Sequence, residues 1–272
     1  MLKKIILLLL LFASLNTQAM DKILVVASSE NSLELREWKS MAAGYFLNEL
    51  AVPAMFLKEH GYEIVLATPK GNTPAMDARS NNNVFFGGND EKRKQALEFT
   101  QNLTPIPMSQ ALSEISSYSG IFVPGGHAPM NDLMQNREFG EILKYAHNNK
   151  ITTAFICHGP AAILSVLKNA DKFRQTAKAD DSKKMRELAQ DNIYRGYRLT
   201  AFSDAEECPG EVKHNEFMPF HLEDALLNAG FNVEIAPPSY SHIVIDRELV
   251  TGQNPASDHD LAEAMLETLK RK

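Results

Sequence analysis

Short apolar runs alternate with amphipathic stretches along most of the chain, at the lengths expected of strands and helices. Residues 23–27 (ILVVA) are rich in branched side chains, which is typical of a strand buried on both faces. Apolar positions recur at helical spacing between residues 47 and 60, and Gly61 follows as a stop signal. The same reasoning predicts further strands at residues 62–69, 120–123, 151–156, 197–202, 231–236 and 242–252, and helices at residues 91–102, 138–149, 219–229 and 258–270.

This alternation of strands and helices predicts a doubly wound α/β fold, in which helices sandwich a mostly parallel, flavodoxin-like sheet. Two charged segments interrupt the pattern, at about residues 72–110 and 170–195, and we interpret them as cap-like insertions. The segment SDAEECPGE, residues 203–211, is interpreted as an acidic loop. In sheets of this kind the reactive site lies beyond the carboxyl ends of the strands.

The first 19 residues have the layout of a secretory signal peptide. Lys3 and Lys4 precede an apolar run at residues 5–12, and a tail of small residues ends at Ala19, after which we expect cleavage. The apolar run is shorter than the roughly 20 residues that a membrane-spanning helix needs. The sequence therefore predicts a secreted or periplasmic protein without stable membrane association, whose residues 20–272 form a single domain.

Composition adds two constraints to this picture. With 44% hydrophobic residues the chain can bury a substantial core, and a net charge of −6 argues against nucleic acid as a partner.

The two cysteines, Cys157 and Cys208, are too few for a disulfide scaffold, although a pair in an oxidising compartment often forms one disulfide. Whether these two are joined stays open at this point.

The strongest chemical signal is the segment AFICHGPAA, in which a strand breaks into a helix at Cys157. Such a nucleophile elbow holds the reactive side chain above the sheet in a strained backbone conformation. The helix amino terminus behind it favours negative charge, so we expect a thiolate with a lowered pKa. An inert buried thiol is the alternative. His158 follows directly and is the nearest candidate for an acid/base partner.

A second signal is the Pro-Gly-Gly turn that ends the preceding strand. The backbone N–H groups of Gly125 and Gly126, together with that of His158, could form an oxyanion hole; a plain glycine-rich turn is the alternative. His127 and His242 could also line the pocket. We find no spacing of metal ligands, so the sequence predicts neither a metal site nor a cofactor.

Three segments, IFVPGGHAPMNDL, FICHGPAAIL and HIVIDRELVTGQNPASDHDLA, occur in an order that resembles the ThiJ/PfpI superfamily of class I glutamine amidotransferase-like proteins. The stretch GYFLNELAVPAMFLKEHGYEIVLATPKG is similar to its stress-chaperone/glyoxalase III branch, and the resemblance covers nearly all of the mature chain. It implies that Glu49 sits against the cysteine, although this glutamate alone would be taken for a solvated helix residue. It also implies that an acid after the strand ending at Phe202 orients His158. Glu207 matches this acid best, with Asp204 as the alternative.

The resemblance also implies a function. It points to a glutathione-independent glyoxalase III that converts methylglyoxal and related 2-oxoaldehydes to D-lactate-type 2-hydroxy acids, with Cys157 as nucleophile and no cofactor. A holding chaperone for unfolded proteins or a protein deglycase is the alternative within the branch, and a cysteine amidase or peptidase is another within the superfamily. Family members are commonly dimeric, so a homodimer is expected. Export departs from the family pattern, because members of this branch mostly work inside the cell.

Overall fold

The computed structural model describes residues 20–271, and the predicted signal peptide at residues 1–19 lies outside the described residues. The strands are β1 (Lys22–Val26), β2 (Ser32–Glu34), β3 (Ser40–Ala42), β4 (Glu63–Thr68), β5 (Ile106–Pro107), β6 (Tyr118–Val123), β7 (Thr152–Ile156), β8 (Arg198–Leu199), β9 (Asn232–Val233), β10 (Ile243–Asp246) and β11 (Leu249–Gly252). The α-helices are α1 (Leu47–Glu59), α2 (Asp90–Gln101), α3 (Met108–Ser113), α4 (Arg137–Asn149), α5 (Ala170–Lys178), α6 (Ser182–Leu188), α7 (Asp204–His214), α8 (Leu222–Asn228) and α9 (Asp258–Lys270). Among these described helices, none combines the length and apolar character needed to cross a membrane.

Seven strands form one central sheet in the order β10-β11-β7-β6-β1-β4-β5. Neighbouring strands in it run parallel except β10 and β11, which pair antiparallel at one edge. The chain builds outward from β1 first on one side, through β4 and β5, and then on the other, through β6 and β7. The structure therefore confirms the predicted doubly wound α/β fold.

Alternating side chains of β1 divide the core into two layers, one on each face of the sheet. Ile23 and Val25 belong to the layer that also contains the apolar side chains of α1 and α9. Leu24 and Val26 belong to the layer that contains those of α4. All four side chains are fully buried, which explains why the sequence of this strand is continuously apolar rather than alternating.

The carboxyl-terminal half of the chain has shorter strands than the sequence predicts. The strand expected at residues 242–252 is a hairpin of β10 and β11, because Arg247 turns the chain with a φ of 58°. The strands expected at residues 197–202 and 231–236 are reduced to β8 and β9, which pair with each other outside the main sheet. The segment 72–110, where the pattern predicts no strand, returns to the sheet as its edge strand β5.

The segment expected to be an acidic loop, residues 203–211, is instead the start of helix α7. The backbone N–H of Ser203 donates to the Glu206 carboxylate at 3.2 Å, which caps the first turn. The acidic side chains of this turn also lie where the helix dipole favours negative charge. The loop prediction was wrong because a cluster of acids is as typical of a helix amino terminus as of a solvated loop.

A separate two-stranded hairpin, β2 and β3, lies between β1 and α1 in the sequence. The connection between its strands places Glu37 and Trp38 in the left-handed region, with φ values of 58° and 61°. Trp38 is the single tryptophan of the chain and is 95% exposed. The hairpin therefore presents a large aromatic side chain to solvent.

Candidate active site

Cys157 lies just after β7, where the chain turns sharply out of the central sheet. Its φ of 59° falls in the left-handed region, which residues with a side chain rarely adopt. Two hydrogen bonds hold this conformation: the Cys157 N–H donates to the Gly252 carbonyl at 2.9 Å, and the Phe202 N–H donates to the Cys157 carbonyl at 2.9 Å. The strained elbow predicted from the sequence is therefore present.

The chain after the elbow runs as a buried 3-10 helix over Gly159–Val166. A side chain at Gly159 would come within 2.6 Å of the Val123 carbonyl oxygen, at the end of β6. Glycine is needed here because the helix passes so close to the neighbouring strand. The elbow and the end of β6 therefore form one closely packed unit.

His158 and Glu207 complete a hydrogen-bonded chain that starts at the cysteine. The Cys157 Sγ lies 3.3 Å from His158 Nδ1, and His158 Nε2 lies 2.6 Å from Glu207 Oε2. An ionised Glu207 can only accept hydrogen bonds, so Nε2 carries the proton and Nδ1 presents its lone pair to the thiol. In this tautomer the imidazole can take a proton from sulfur.

The charges and the burial of Cys157, His158 and Glu207 favour a neutral imidazole on His158 beside an ionised carboxylate on Glu207. Burial lowers the pKa of His158 and the neighbouring His127 lowers it further, while Glu207 acts to raise it. Burial acts to raise the pKa of Glu207, but attraction to His158 and the hydrogen bonds from both histidines outweigh burial and hold this pKa well below its usual range. His158 is therefore ready to accept a proton at neutral pH.

His127 reinforces the arrangement from the end of the Pro-Gly-Gly turn. Its ring lies over that of His158, with 4.1 Å between centroids, and its Nε2 lies 3.3 Å from Glu207 Oε1. The Arg79 guanidinium approaches its Nδ1 at 3.4 Å. Each oxygen of Glu207 is thus engaged by one histidine, which fixes the orientation of the carboxylate.

Glu49 lies in the first turn of α1 and is completely buried beside Cys157. Burial raises the pKa of Glu49 to about 8, and its contact with the Cys157 thiol offsets this effect only in part. Neither carboxyl oxygen has a partner of ordinary hydrogen-bond geometry among residues 20–271. The structure therefore places a largely neutral carboxyl group beside the cysteine at pH 7.

The sequence predicts a lowered pKa for the Cys157 thiol, and this prediction was wrong. Burial raises this pKa, and Glu49 raises it further once its own carboxyl group has ionised, whereas the N–H of Gly126 acts in the opposite direction. The helix after the elbow, which was expected to stabilise a thiolate, is a buried 3-10 helix, and burial outweighs it. The resting site therefore holds a thiol with a proton acceptor, His158 Nδ1, at 3.3 Å.

The two glycines of the turn lie directly against these groups. The backbone N–H of Gly126 lies near enough to the Cys157 sulfur to act to lower the pKa of the thiol, and a φ of 87° favours glycine at this position. A side chain at Gly125 would come within 2.5 Å of the Cys157 Cβ and 2.8 Å of the Ile156 carbonyl oxygen, and would collide with the Glu49 carboxyl group. The Gly126 N–H is therefore one donor where an oxyanion hole would require it.

The sequence pattern that defines the DJ-1/PfpI family matches residues 41–268, which is most of the chain. The chain belongs to the DJ-1/PfpI family. Curated relatives of this member include the protein/nucleic acid deglycase HchA of Staphylococcus aureus. That relative is 24% identical over 248 residues, which span 89% of this chain and 77% of the relative.

Solved structures share the fold of this DJ-1/PfpI protein. The rapid encystment protein of Francisella tularensis is 24% identical with a TM-score of 0.69, and the match covers 92% of this chain and 99% of that one. The glyoxalase III of Candida albicans is 21% identical with a TM-score of 0.65, and the match covers 92% of this chain and 97% of that one. At these identities the likeness establishes the fold, so the chemistry has to be argued from the site itself.

A cleft of about 810 Å³ opens above Cys157 in this DJ-1/PfpI protein. Its walls are mostly apolar and include the rings of Phe46, Phe85 and Phe202. The Phe202 ring also lies beside His158, with 4.8 Å between centroids. Sequence reasoning missed Phe46 and Phe85, because an aromatic residue in a turn or an insertion carries no chemical signature of its own.

Three other candidates from the sequence have different surroundings. Asp204 lies beside His221, 3.4 Å from its Nδ1. The acid that contacts His158 is Glu207, not Asp204. His242 does not line the cleft, and its Nε2 is buried without a hydrogen-bond partner among residues 20–271. Cys157 and Cys208 are both free thiols, so the structure does not join them in a disulfide.

His127, His158 and Glu207 could together hold a divalent cation, since their donor atoms lie within 4.8 Å of one another. A cation here would displace the proton on His158 Nε2, and this proton is what leaves Nδ1 free to accept from the Cys157 thiol. The arrangement therefore suits proton transfer better than metal binding.

Proposed function

We propose that this chain is a cysteine-dependent, glyoxalase III-like enzyme, which converts methylglyoxal and related 2-oxoaldehydes to 2-hydroxy acids such as D-lactate without glutathione. The observation that carries the proposal is the Cys157 Sγ placed 3.3 Å from the His158 imidazole, with the Glu49 carboxyl group also beside the sulfur. This reaction needs a nucleophile, a base and a second group that carries protons. A structure of the same fold that is named glyoxalase III supports the assignment.

The first step is the addition of sulfur to the aldehyde carbon of the substrate. As the Cys157 Sγ attacks, its proton passes to His158 Nδ1, and Glu207 stabilises the imidazolium that forms. The product is a hemithioacetal, whose oxygen carries negative charge until a proton reaches it. The Gly126 N–H, which lies near the sulfur, can donate to this oxygen.

The second step moves a proton from the former aldehyde carbon, C1, to the adjacent carbon, C2, through an enediol. His158 first passes its proton to the hemithioacetal oxygen, and its neutral imidazole, or Glu49 in its ionised form, then removes the C1 proton while the C2 oxygen is protonated. A proton is next delivered to C2 as the C1 hydroxyl loses its own, so the hemithioacetal becomes a thioester without an external oxidant. A carboxyl group with a pKa of about 8 can exchange protons near neutral pH. Water then hydrolyses the thioester, which releases the 2-hydroxy acid and restores the Cys157 thiol.

The cleft supports this class of substrate. No lysine or arginine is among the described residues that line it, and its walls are mostly apolar. A cationic side chain is the strongest partner for the carboxylate of a 2-oxo acid, whereas this cleft is lined by the acidic residues Glu206 and Asp258. The cleft therefore favours neutral dicarbonyl compounds over anionic ones.

The proposal is tested by incubating the purified protein with methylglyoxal in the absence of any thiol and measuring D-lactate. Cys157→Ala should reduce the rate to that of the uncatalysed reaction, because the hemithioacetal cannot form. Far-ultraviolet circular dichroism serves to show that the variant is folded. D-lactate formation by folded Cys157→Ala protein at the wild-type rate would contradict the proposal.

A protein or nucleic acid deglycase is the second candidate, because curated relatives carry that name. The discriminating substrate is a methylglyoxal adduct of N-acetylarginine, purified free of methylglyoxal. A deglycase accelerates loss of the adduct beyond its spontaneous dissociation. A glyoxalase consumes only the methylglyoxal that has been released, so the adduct disappears no faster than it dissociates unaided.

A further inference from the structure

A second cluster of polar side chains lies on helix α7 and in the segment after it. Donor atoms of Cys208, Glu211 and His221 lie within 4.8 Å of one another. We propose that these three side chains bind a divalent transition metal ion of the zinc class. Thiolate, imidazole and carboxylate are the ligands that Zn²⁺ takes in proteins, and three of them leave one position of a tetrahedral site open.

The ring of His221 is oriented as it would be at a metal. Its Nε2 faces Glu211, with 3.1 Å to Oε2, while its Nδ1 lies 3.4 Å from Asp204 Oδ2. A carboxylate that accepts from the far nitrogen of a metal-bound histidine is the usual outer partner at zinc sites, because it fixes the tautomer and the ring. Asp204 therefore supports the site from behind, and Nε2 faces the ion.

Glu211 is fixed in the same manner. Its Oε1 accepts a hydrogen bond from the Met218 N–H at 2.6 Å, while its Oε2 lies 3.1 Å from His221 Nε2, a hydrogen bond that an ion bound between these two atoms would replace. The Glu211 side chain is only 7% exposed, so the fold holds it in place. The His221 side chain is 24% exposed and Cys208 is partly exposed, which gives an ion and its fourth ligand, water, access to the site.

The local charge also favours a cation. Donor atoms of Asp204 and Asp224 lie within 4.8 Å of His221, so this imidazole is surrounded by carboxylates. The presence of Cys208 beside them separates this cluster from an ordinary pairing of a histidine with acids. A bound divalent ion deprotonates a coordinating thiol outright and offsets more of the negative charge than a proton on the ring does.

A metal ion at this position would act indirectly on the hydrogen-bonded series of Cys157, His158 and Glu207. Helix α7 carries Glu207 immediately before Cys208, and His221 lies just before α8. The ion would join these two segments and so fix the helix that positions Glu207.

The test uses Cys157→Ala protein, in which Cys208 is the one remaining cysteine. Titration with Co²⁺ should produce a thiolate-to-cobalt charge-transfer band that saturates at a single equivalent, and Zn²⁺ should abolish the band. The band should be absent from Cys157→Ala/Cys208→Ser protein. Asp204→Asn in the Cys157→Ala background should weaken binding about 10- to 100-fold. His214→Ala in that background removes an exposed histidine of the same helix, so it should change neither the band nor the affinity.

A second measurement does not depend on cobalt. Zn²⁺ should raise the Tm of Cys157→Ala protein and leave that of Cys157→Ala/Cys208→Ser protein unchanged. Absence of the charge-transfer band in Cys157→Ala protein would overturn the proposal. Equally tight Zn²⁺ binding with and without Cys208 would show an adventitious ion only, or an ion at the His127 cluster, and would overturn it as well.

Discussion

At the scale of single residues, Glu207 determines what His158 can do. It receives one hydrogen bond from His158 and another from His127, so its carboxylate has little freedom to turn. Because an ionised carboxylate cannot donate, the proton of the imidazole is held on Nε2 and the thiol faces a lone pair. The charge on Glu207 thus matters as much as its position.

Glu207→Gln should remove this control while keeping the shape of the side chain. A neutral amide can donate to His158 Nε2, which moves the ring proton to Nδ1 and leaves no acceptor for the thiol. We expect kcat for methylglyoxal to fall roughly 10²- to 10⁴-fold with a smaller change in KM. The matched control is Glu263→Gln, which alters an exposed carboxylate of α9 and should leave kcat unchanged. A kcat for Glu207→Gln within about twofold of the wild type would exclude this role.

The pH profile provides a separate check on His158. Burial and His127 lower its pKa from the ordinary value of 6.5, so the reactive neutral form persists to a lower pH. The acid limb of kcat/KM should therefore lie below pH 6.5 in the wild type. In Glu207→Gln it should lie lower still, because Glu207 acts to raise the pKa of His158. A shift of the acid limb in the opposite direction would contradict the assigned hydrogen-bond chain.

Local sequence predicted some of these residues and not others. Cys157 and His158 could be identified from the flanking strand and small residues alone. Glu49 could not, because its complete burial results from packing of α1 against the Pro-Gly-Gly turn, which no local pattern contains. Only a family resemblance brought this glutamate forward.

At the scale of elements, the site depends on how closely the Pro-Gly-Gly turn approaches the elbow. Gly125 lies against the Cys157 Cβ, the Ile156 carbonyl and the Glu49 carboxyl group. The Pro-Gly-Gly turn, the elbow and helix α1 therefore come into contact at this glycine. The backbone carbonyl cannot move aside as a flexible side chain could. A side chain at Gly125 would therefore have to displace the elbow, the Glu49 carboxyl group or both.

Gly125→Ala should therefore damage both the activity and the stability of the protein. The added methyl group must push the turn away from the elbow, which we expect to reduce the free energy of unfolding by about 1–3 kcal/mol. Gly210→Ala is the control, since a methyl group there would meet nothing and the position is helical. It should stabilise the protein by about 0.5–1 kcal/mol. The free energy of unfolding in urea and the rate of methylglyoxal turnover are measured for both variants. Equal stability and equal turnover of Gly125→Ala and Gly210→Ala would contradict the role assigned to Gly125.

Elements were predictable where their signals are long and periodic. The helices α1, α4 and α9 agree closely with the sequence pattern, because each presents an apolar face to a fully buried layer. The edge strand β5 is only two residues long and includes Pro107, so it has no periodicity to detect. Helix α7 begins with a capping pair, Ser203 and Glu206, that an interpretation based on charge alone overlooks.

At the scale of the whole molecule, the site is built from groups that the fold buries at the expense of stability. Glu49, Cys157 and His158 are each less than 5% exposed, and Cys157 belongs to the core layer that contains the apolar side chains of α1 and α9. Burial of a carboxyl group with no well-formed hydrogen bond destabilises the folded state. Functional sites commonly hold such residues, since activity and stability favour different side chains there.

Glu49→Gln should consequently make the protein more stable near neutral pH. Between pH 4.5 and about 8 the native Glu49 keeps its proton, while the same group in the unfolded chain has lost it. The unfolded state then binds fewer protons, so the free energy of unfolding of the wild type falls as pH rises through this window. At pH 7 we expect a difference on the order of 3 kcal/mol in favour of the glutamine variant.

Urea denaturation followed by circular dichroism at pH 5 and pH 8 measures this difference. The gap between Glu49→Gln and the wild type should be small at the lower pH and largest at the higher one. The exposed control Glu263→Gln should show no such dependence. If the difference in the free energy of unfolding has the same size at both pH values, it reflects packing, and Glu49 is not protonated in the folded state as assigned.

The exposed hairpin described above determines which optical probes are informative. Trp38 is the single tryptophan and is 95% exposed, so its indole is hydrated in the folded and the unfolded chain alike. Its emission maximum should therefore shift little when the core unfolds, and tryptophan fluorescence would understate the transition. The same property makes it a local reporter: a blue shift at constant fold would reveal that another molecule has covered the β2–β3 hairpin.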